Sequence, residues 1–172
     1  MSKPAAAFTL VCAIAAAGAT LAEPRSPPSF GLYADDPANA FDGYERTSQY
    51  VAARDGVRLA VDVYLPIRQG RRVEGRLPVV WTFTPYNRAS RAADGSVGPP
   101  RGHARLLANG YAVAVADVRG KGASFGVRNG PADANETNDA YDITEWLAKQ
   151  AWSSGKVGMN GCSYYGATAL QA

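Results

Sequence analysis

Hydrophobic and polar positions change their rhythm as the chain proceeds. In "YERTSQYVAARDGVRLAVDVYLP" two β-prone runs flank Asp55-Gly56, a strong signal for an antiparallel hairpin. Val57, Leu59, Val61 and Val63 alternate with Arg58, Ala60, Asp62 and Tyr64 in the second run, which predicts one buried face. "LPVVWTFTPY" and "YAVAVADV" are instead nearly continuous apolar runs, the pattern of strands covered on both faces. Between them lies a polar stretch rich in Gly and Pro, then a short helical segment, "HARLLANG", stopped by Gly110.

After "RGKGASFGVRNGPADAN" the spacing predicts a longer helix from about Asn138 to Gln150. Ala140, Ile143, Leu147 and Trp146 fall on its inner face. Thr137 or Asn138 is the expected cap, with Asp139 and Asp142 near the positive end of the dipole. "KVGMNG" reads as a strand and "YYGATALQA" as a helix start. A hairpin followed by strand–helix–strand–helix–strand predicts an α/β fold with a mostly parallel sheet flanked by helices.

The two ends of the chain have different characters. "MSKPAAAFTLVCAIAAAGATLAEP" has a basic start at Lys3, an alanine-rich apolar run and small residues before a cut after Ala22. Residues 1–22 therefore read as a secretory signal peptide, with export to the periplasm or the exterior; an uncleaved membrane anchor is the alternative. Val11 before Cys12 argues against a lipoprotein site. Cleavage leaves Cys162 as the sole cysteine, so stability is expected to come from the core rather than from a disulfide. Residues 23–43 read as an irregular lead-in and 44–172 as the folded portion. The apolar fraction of 47% supports a core. A net charge of +3 with scattered basic residues gives no nucleic-acid footprint, and no stable membrane partner is expected. No group of His, Cys and carboxylates has metal-ligand spacing, so neither metal nor organic cofactor is expected.

Two serines compete as a nucleophile. Ser124 lies in "GASFG", a full match to G-x-S-x-G, whereas in "GCSYYG" the second glycine follows Ser163 one residue late. A nucleophile elbow needs a strand before and a helix after, so that the turn lifts the hydroxyl above the sheet edge. Ser163 has both neighbours; Ser124 is followed by a turn and reads as a loop residue. "VADVRGKGASFG" as a nucleotide loop fails because no helix opens on its third glycine.

"RDGVRLAVDVYLP", "TPYNR", "DVRGKGASFG", "NDAYDITEWLAKQAW" and "GKVGMNGCSYYG" occur in the order found in the X-Pro dipeptidyl-peptidase-like hydrolases, the family of cocaine esterase and the α-amino-acid ester hydrolases. The resemblance runs from about Tyr44 to Ala172 and implies the N-terminal part of an α/β-hydrolase fold. It implies an elbow of the form G-x-S-Y-x-G, with Ser163 as the acylated nucleophile. It further implies two oxyanion-hole donors, the Tyr164 backbone N–H and the Tyr86 hydroxyl. Read without it, Tyr86 is an ordinary rim tyrosine. Asp117 and Arg119 are expected to brace a loop.

In this fold the triad order is serine, acid, histidine, yet the nine residues after Ser163 hold neither acid nor histidine. The single histidine, His103, precedes the serine and is expected at the surface. Asp142 and Glu145 are expected on the exposed side of their helix. The sequence therefore predicts a chain truncated after the elbow, inactive by itself, of a serine hydrolase that cleaves small-molecule esters, amides or peptides. A non-catalytic remnant or binding module is the alternative.

Overall fold

The computed structural model describes residues 41–172 apart from positions 101 and 132, so residues 1–22, expected to be a signal peptide, and most of the expected lead-in lie outside the described residues. Its elements are β1 (Gly43–Ala52), β2 (Arg58–Arg68), β3 (Arg71–Arg72), β4 (Leu77–Thr84), β5 (Ser90–Arg91), β6 (Val97–Gly98), α1 (His103–Ala108), β7 (Ala112–Asp117), α2 (Ala134–Ala148), β8 (Ser153–Met159) and α3 (Tyr164–Gln171). The main sheet runs β1-β2-β7-β4-β8, with β3 beside β2 and a separate β5-β6 ribbon.

The hairpin forms where Asp55-Gly56 predicts it. Ala53 N–H donates to Val57 O at 2.8 Å, and Gly56 turns the chain at φ 82°. β1 pairs with β2 and β2 with β7 in antiparallel fashion, while β7 and β8 flank β4 in parallel. The two apolar runs thus become adjacent parallel strands, and all six residues of β7 are buried. Trp81, Phe83 and Val79 of β4 pack with Ala140, Ile143 and Leu147 of α2 on one face of the sheet. On the other face Tyr64, Val113 and Val115 meet Leu107 of α1. Among the described residues no helix is long and apolar enough to cross a membrane.

Two expectations need correction. β2 is buried on both faces, from Leu59 through Pro66, not on one. α1 covers the Tyr64 side, and Asp62 is enclosed because Arg46, Arg88 and Ser48 bond its carboxylate. The second correction concerns α2, which starts at Ala134. Asp133 is its cap, accepting the Glu136 N–H at 2.9 Å, rather than Thr137 or Asn138. Asp139 is consequently past the first turn, where burial is offset by bonds from Arg119 Nε and Nη2 at 2.8 and 2.6 Å.

Candidate active site

The elbow is a consequence of crowding. Asn160 N–H still bonds Trp81 O at 3.1 Å, continuing the β4–β8 pairing, and four residues later the chain is helical. Ser163 makes the transition at φ 55°, ψ −125°, a left-handed backbone that a non-glycine residue holds at a cost of about 1–3 kcal/mol. Its carbonyl accepts from Ala167 N–H at 2.9 Å, while its side chain makes no capping bond and is exposed. Residue 161 has no room for a side chain: a Cβ there would lie 2.0 Å from Tyr165 Cβ. Tyr165, which stands where the second glycine of G-x-S-x-G would be, fits because residue 161 carries no Cβ. Gly166 sits beside the Gly161 carbonyl, 3.2 Å from where its own Cβ would be.

Tyr164 opens α3 next to Ser163. Its phenol is tied down away from the turn: it donates to Glu136 and receives from Arg128, whose guanidinium stands 5.3 Å over the ring. Burial, reinforced by the Glu136 acceptor, raises the phenol's pKa above its ordinary value. Tyr86 follows the end of β4, its N–H bonded to Thr84 Oγ1 at 2.9 Å. The residue is 61% exposed, with ring centroid distances of 6.1 Å to Tyr164 and 5.9 Å to Tyr165. The structure thus brings the rings of Tyr86, just past β4, and Tyr164, the first residue of α3 after Ser163, against each other. Among the described residues the Tyr86 hydroxyl has no partner.

The other candidates are committed elsewhere. His103 is buried, not at the surface: Nε2 lies 2.9 Å from Thr82 Oγ1 and Nδ1 lies 3.1 Å from Pro100 O. Thr82 Oγ1 in turn contacts Asn160 O at 2.9 Å, so the histidine braces the sheet beneath the elbow. Asp142 is bound to Arg54, which holds its carboxyl below the usual range, and Glu145 pairs with Lys149. Ser124 is a loop brace, donating to Asp117 O at 2.6 Å and accepting from Ala60 N–H at 2.8 Å. Asp117 and Arg119 brace their loop as expected, Asp117 through Ala123 N–H and Arg119 through Asp55 and Asp139.

Sequence reading missed Arg88, Arg128 and Glu136. Only Arg88 had a signal, its place in "TPYNR" two residues after Tyr86. Among the described residues no cluster of His, Cys and carboxylates could hold a metal ion.

A mixed sheet with parallel central strands, flanking helices and a strained strand-to-helix turn defines the class: this is part of an α/β-hydrolase fold. The chain belongs to the X-Pro dipeptidyl-peptidase (S15) family, whose model matches residues 55–172. It is 38% identical over 122 residues to the cocaine esterase of Rhodococcus sp., covering 71% of this chain and 20% of that protein. A solved α-amino acid ester hydrolase superposes with a TM-score of 0.60 at 32% identity, covering 87% of this chain and 26% of its own. An aminopeptidase from a marine sediment Thaumarchaeota archaeon gives 0.60 at 28% identity, covering 88% and 26%. The chain spans about a fifth of the length of the curated relatives it matches.

Proposed function

We propose that this chain carries the nucleophile half of a serine hydrolase acting on an ester or amide carbonyl. The observation that carries the reading is Ser163 itself, an exposed serine held at φ 55° between a parallel strand and a helix, the backbone arrangement of a nucleophile elbow. The Ser163 Oγ adds to the carbonyl carbon as its proton passes to a base. The carbonyl oxygen becomes an oxyanion, received by the Tyr164 N–H at the start of α3 and by the Tyr86 hydroxyl, which has no partner among the described residues. Collapse expels the alcohol or amine, which takes up the proton, and water then releases the acid from the acyl-Ser163 ester.

The base is not His103, whose two ring nitrogens are engaged with Thr82 and Pro100. In this reading the base and its acid partner lie outside the described residues. The likeness to cocaine esterase, the amino acid ester hydrolase and the aminopeptidase supports an ester or amide substrate in this reading, peptides included.

The test is fluorophosphonate labelling of the natural gene product that contains this chain. Wild-type protein should label and Ser163→Ala should not. Labelling that survives the substitution would remove Ser163 as nucleophile; a wild-type protein that never labels would favour the non-catalytic alternative. Export, inferred from residues 1–22, would show as a mature N-terminus at Glu23.

A further inference from the structure

The strand end that presents Tyr86 is held in an unusual way. Tyr86 is 61% exposed, and among the described residues its ring meets only those of Tyr164 and Tyr165, so its own packing holds it loosely. The next residue, Asn87, has φ 97°, a left-handed backbone that relaxes unless its surroundings enforce it. Arg88, one place further on, makes three hydrogen bonds to two buried carboxylates on different strands. Its N–H and Nη1 donate to the two oxygens of Asp117, both at 2.8 Å, and its Nε donates to Asp62 Oδ1 at 2.9 Å. The side chain of Asp62 is 0% exposed and that of Asp117 1%, while Arg88 itself is 22% exposed.

We infer that Arg88 is the positioning residue for the Tyr86 hydroxyl, an assignment that rests on the reading of Tyr86 as an oxyanion donor. Asp62 of β2 and Asp117 at the end of β7 are fixed to the sheet by other partners. Arg46, Ser48 and Tyr64 bond Asp62; Ala123 N–H bonds Asp117. The planar guanidinium spans both carboxylates while its own N–H bonds Asp117, which restrains the backbone two positions after Tyr86. A lysine would keep the charge and lose that fork, since an ammonium is a point donor on a flexible stem. Geometry at an oxyanion donor matters steeply, because a misplacement of about 1 Å can cost a hundredfold in rate.

The experiment measures kcat and KM for p-nitrophenyl acetate with the natural gene product and three variants: Arg88→Lys, Tyr86→Phe and the pair together. Tyr86→Phe is expected to lower kcat by about 10²–10³, as loss of one oxyanion donor does. Arg88→Lys is expected to lower kcat by at least about tenfold with KM changed less than about twofold, because the interaction lost is one made in the transition state. The double variant should be no slower than Tyr86→Phe alone, since a misplaced donor that is already absent costs nothing more. Multiplicative losses, or an Arg88→Lys enzyme with unchanged kcat, would overturn the positioning role while leaving the Tyr86 reading intact. A Tyr86→Phe enzyme with full kcat would instead overturn the donor reading and this inference with it. Should Arg88→Lys fail to fold, Asp117→Asn is the second route, with the same kcat loss and the same masking by Tyr86→Phe expected.

Discussion

Gly161 lies so close against Tyr165 that no side chain fits between them. A Cβ built on residue 161 would sit 2.0 Å from Tyr165 Cβ and within 2.7–2.9 Å of the Tyr165 backbone. The atoms it would meet belong to the start of α3 and cannot swing aside as a long side chain could. Gly161→Ala is therefore expected to reopen the turn at Ser163, at a stability cost of at least about 1–3 kcal/mol. Urea unfolding measures the cost, and fluorophosphonate labelling measures the elbow. Full labelling in the alanine variant would mean the turn does not depend on this close approach.

The strain at Ser163 makes a prediction of its own, independent of any substrate. Ser163→Ala and Ser163→Gly both remove the hydroxyl, but only glycine adopts φ 55°, ψ −125° without a Cβ penalty. The glycine variant is expected to be more stable than the alanine variant by about 1 kcal/mol, with both unreactive towards the probe. Denaturant midpoints decide the matter, and equal midpoints would argue that the serine backbone is not strained in solution.

Gly122 stands against Asp117 as Gly161 stands against Tyr165. At φ 54° its added Cβ would come 2.2 Å from Asp117 Oδ2, the oxygen that binds Arg88 Nη1 and Ala123 N–H. Gly122→Ala should push that carboxylate off its partners, with a loss of about 1–3 kcal/mol. Gly130→Ala is the control, because no atom lies within 4 Å of its would-be Cβ, and a change below about 0.5 kcal/mol is expected. Calorimetry of the two variants side by side reads the difference.

How far the sequence discloses this molecule depends on the range of the forces involved. The β1–β2 hairpin and the two central parallel strands are legible because Asp55-Gly56 and the unbroken apolar runs act on their own neighbours. The place of Ser163 between a strand and a helix is legible for the same reason. Burial of charge is not. Asp62 looks solvent-facing in an alternating strand, yet its partners Arg46 and Arg88 are 16 and 26 residues distant. Glu136 reads as part of a polar loop, yet it is buried in the first turn of α2, where its carboxylate accepts from Tyr164, 28 residues on. His103 looks like a surface residue until Thr82 is placed beneath it. Each misread residue is polar and owes its position to a partner far away in sequence, which periodicity cannot register.

The cap of α2 gives the last prediction, one in pH. The Asp133 carboxylate is held below its ordinary pKa of 3.8, first by the Glu136 N–H it accepts, and further by its site at the positive end of the helix. A depressed carboxyl pKa means the folded chain binds the proton less readily than the unfolded chain does. The stabilisation is thus complete above pH 3.8 and disappears as pH falls through the lower folded value. Asp133→Ala should cost about 1 kcal/mol at pH 7, the ordinary loss for an N-cap, and the gap to wild type should narrow once pH drops below the unfolded value. Asp133→Asn keeps a capping oxygen without a titration, so its own stability difference from wild type at pH 7 should be smaller than that of the alanine variant. Urea unfolding of the three proteins from pH 7 to pH 3 measures both effects. A wild-type-to-alanine gap that stays constant across that range would show that the cap acts without its charge, and that the Glu136 N–H does not distinguish the carboxylate from the acid.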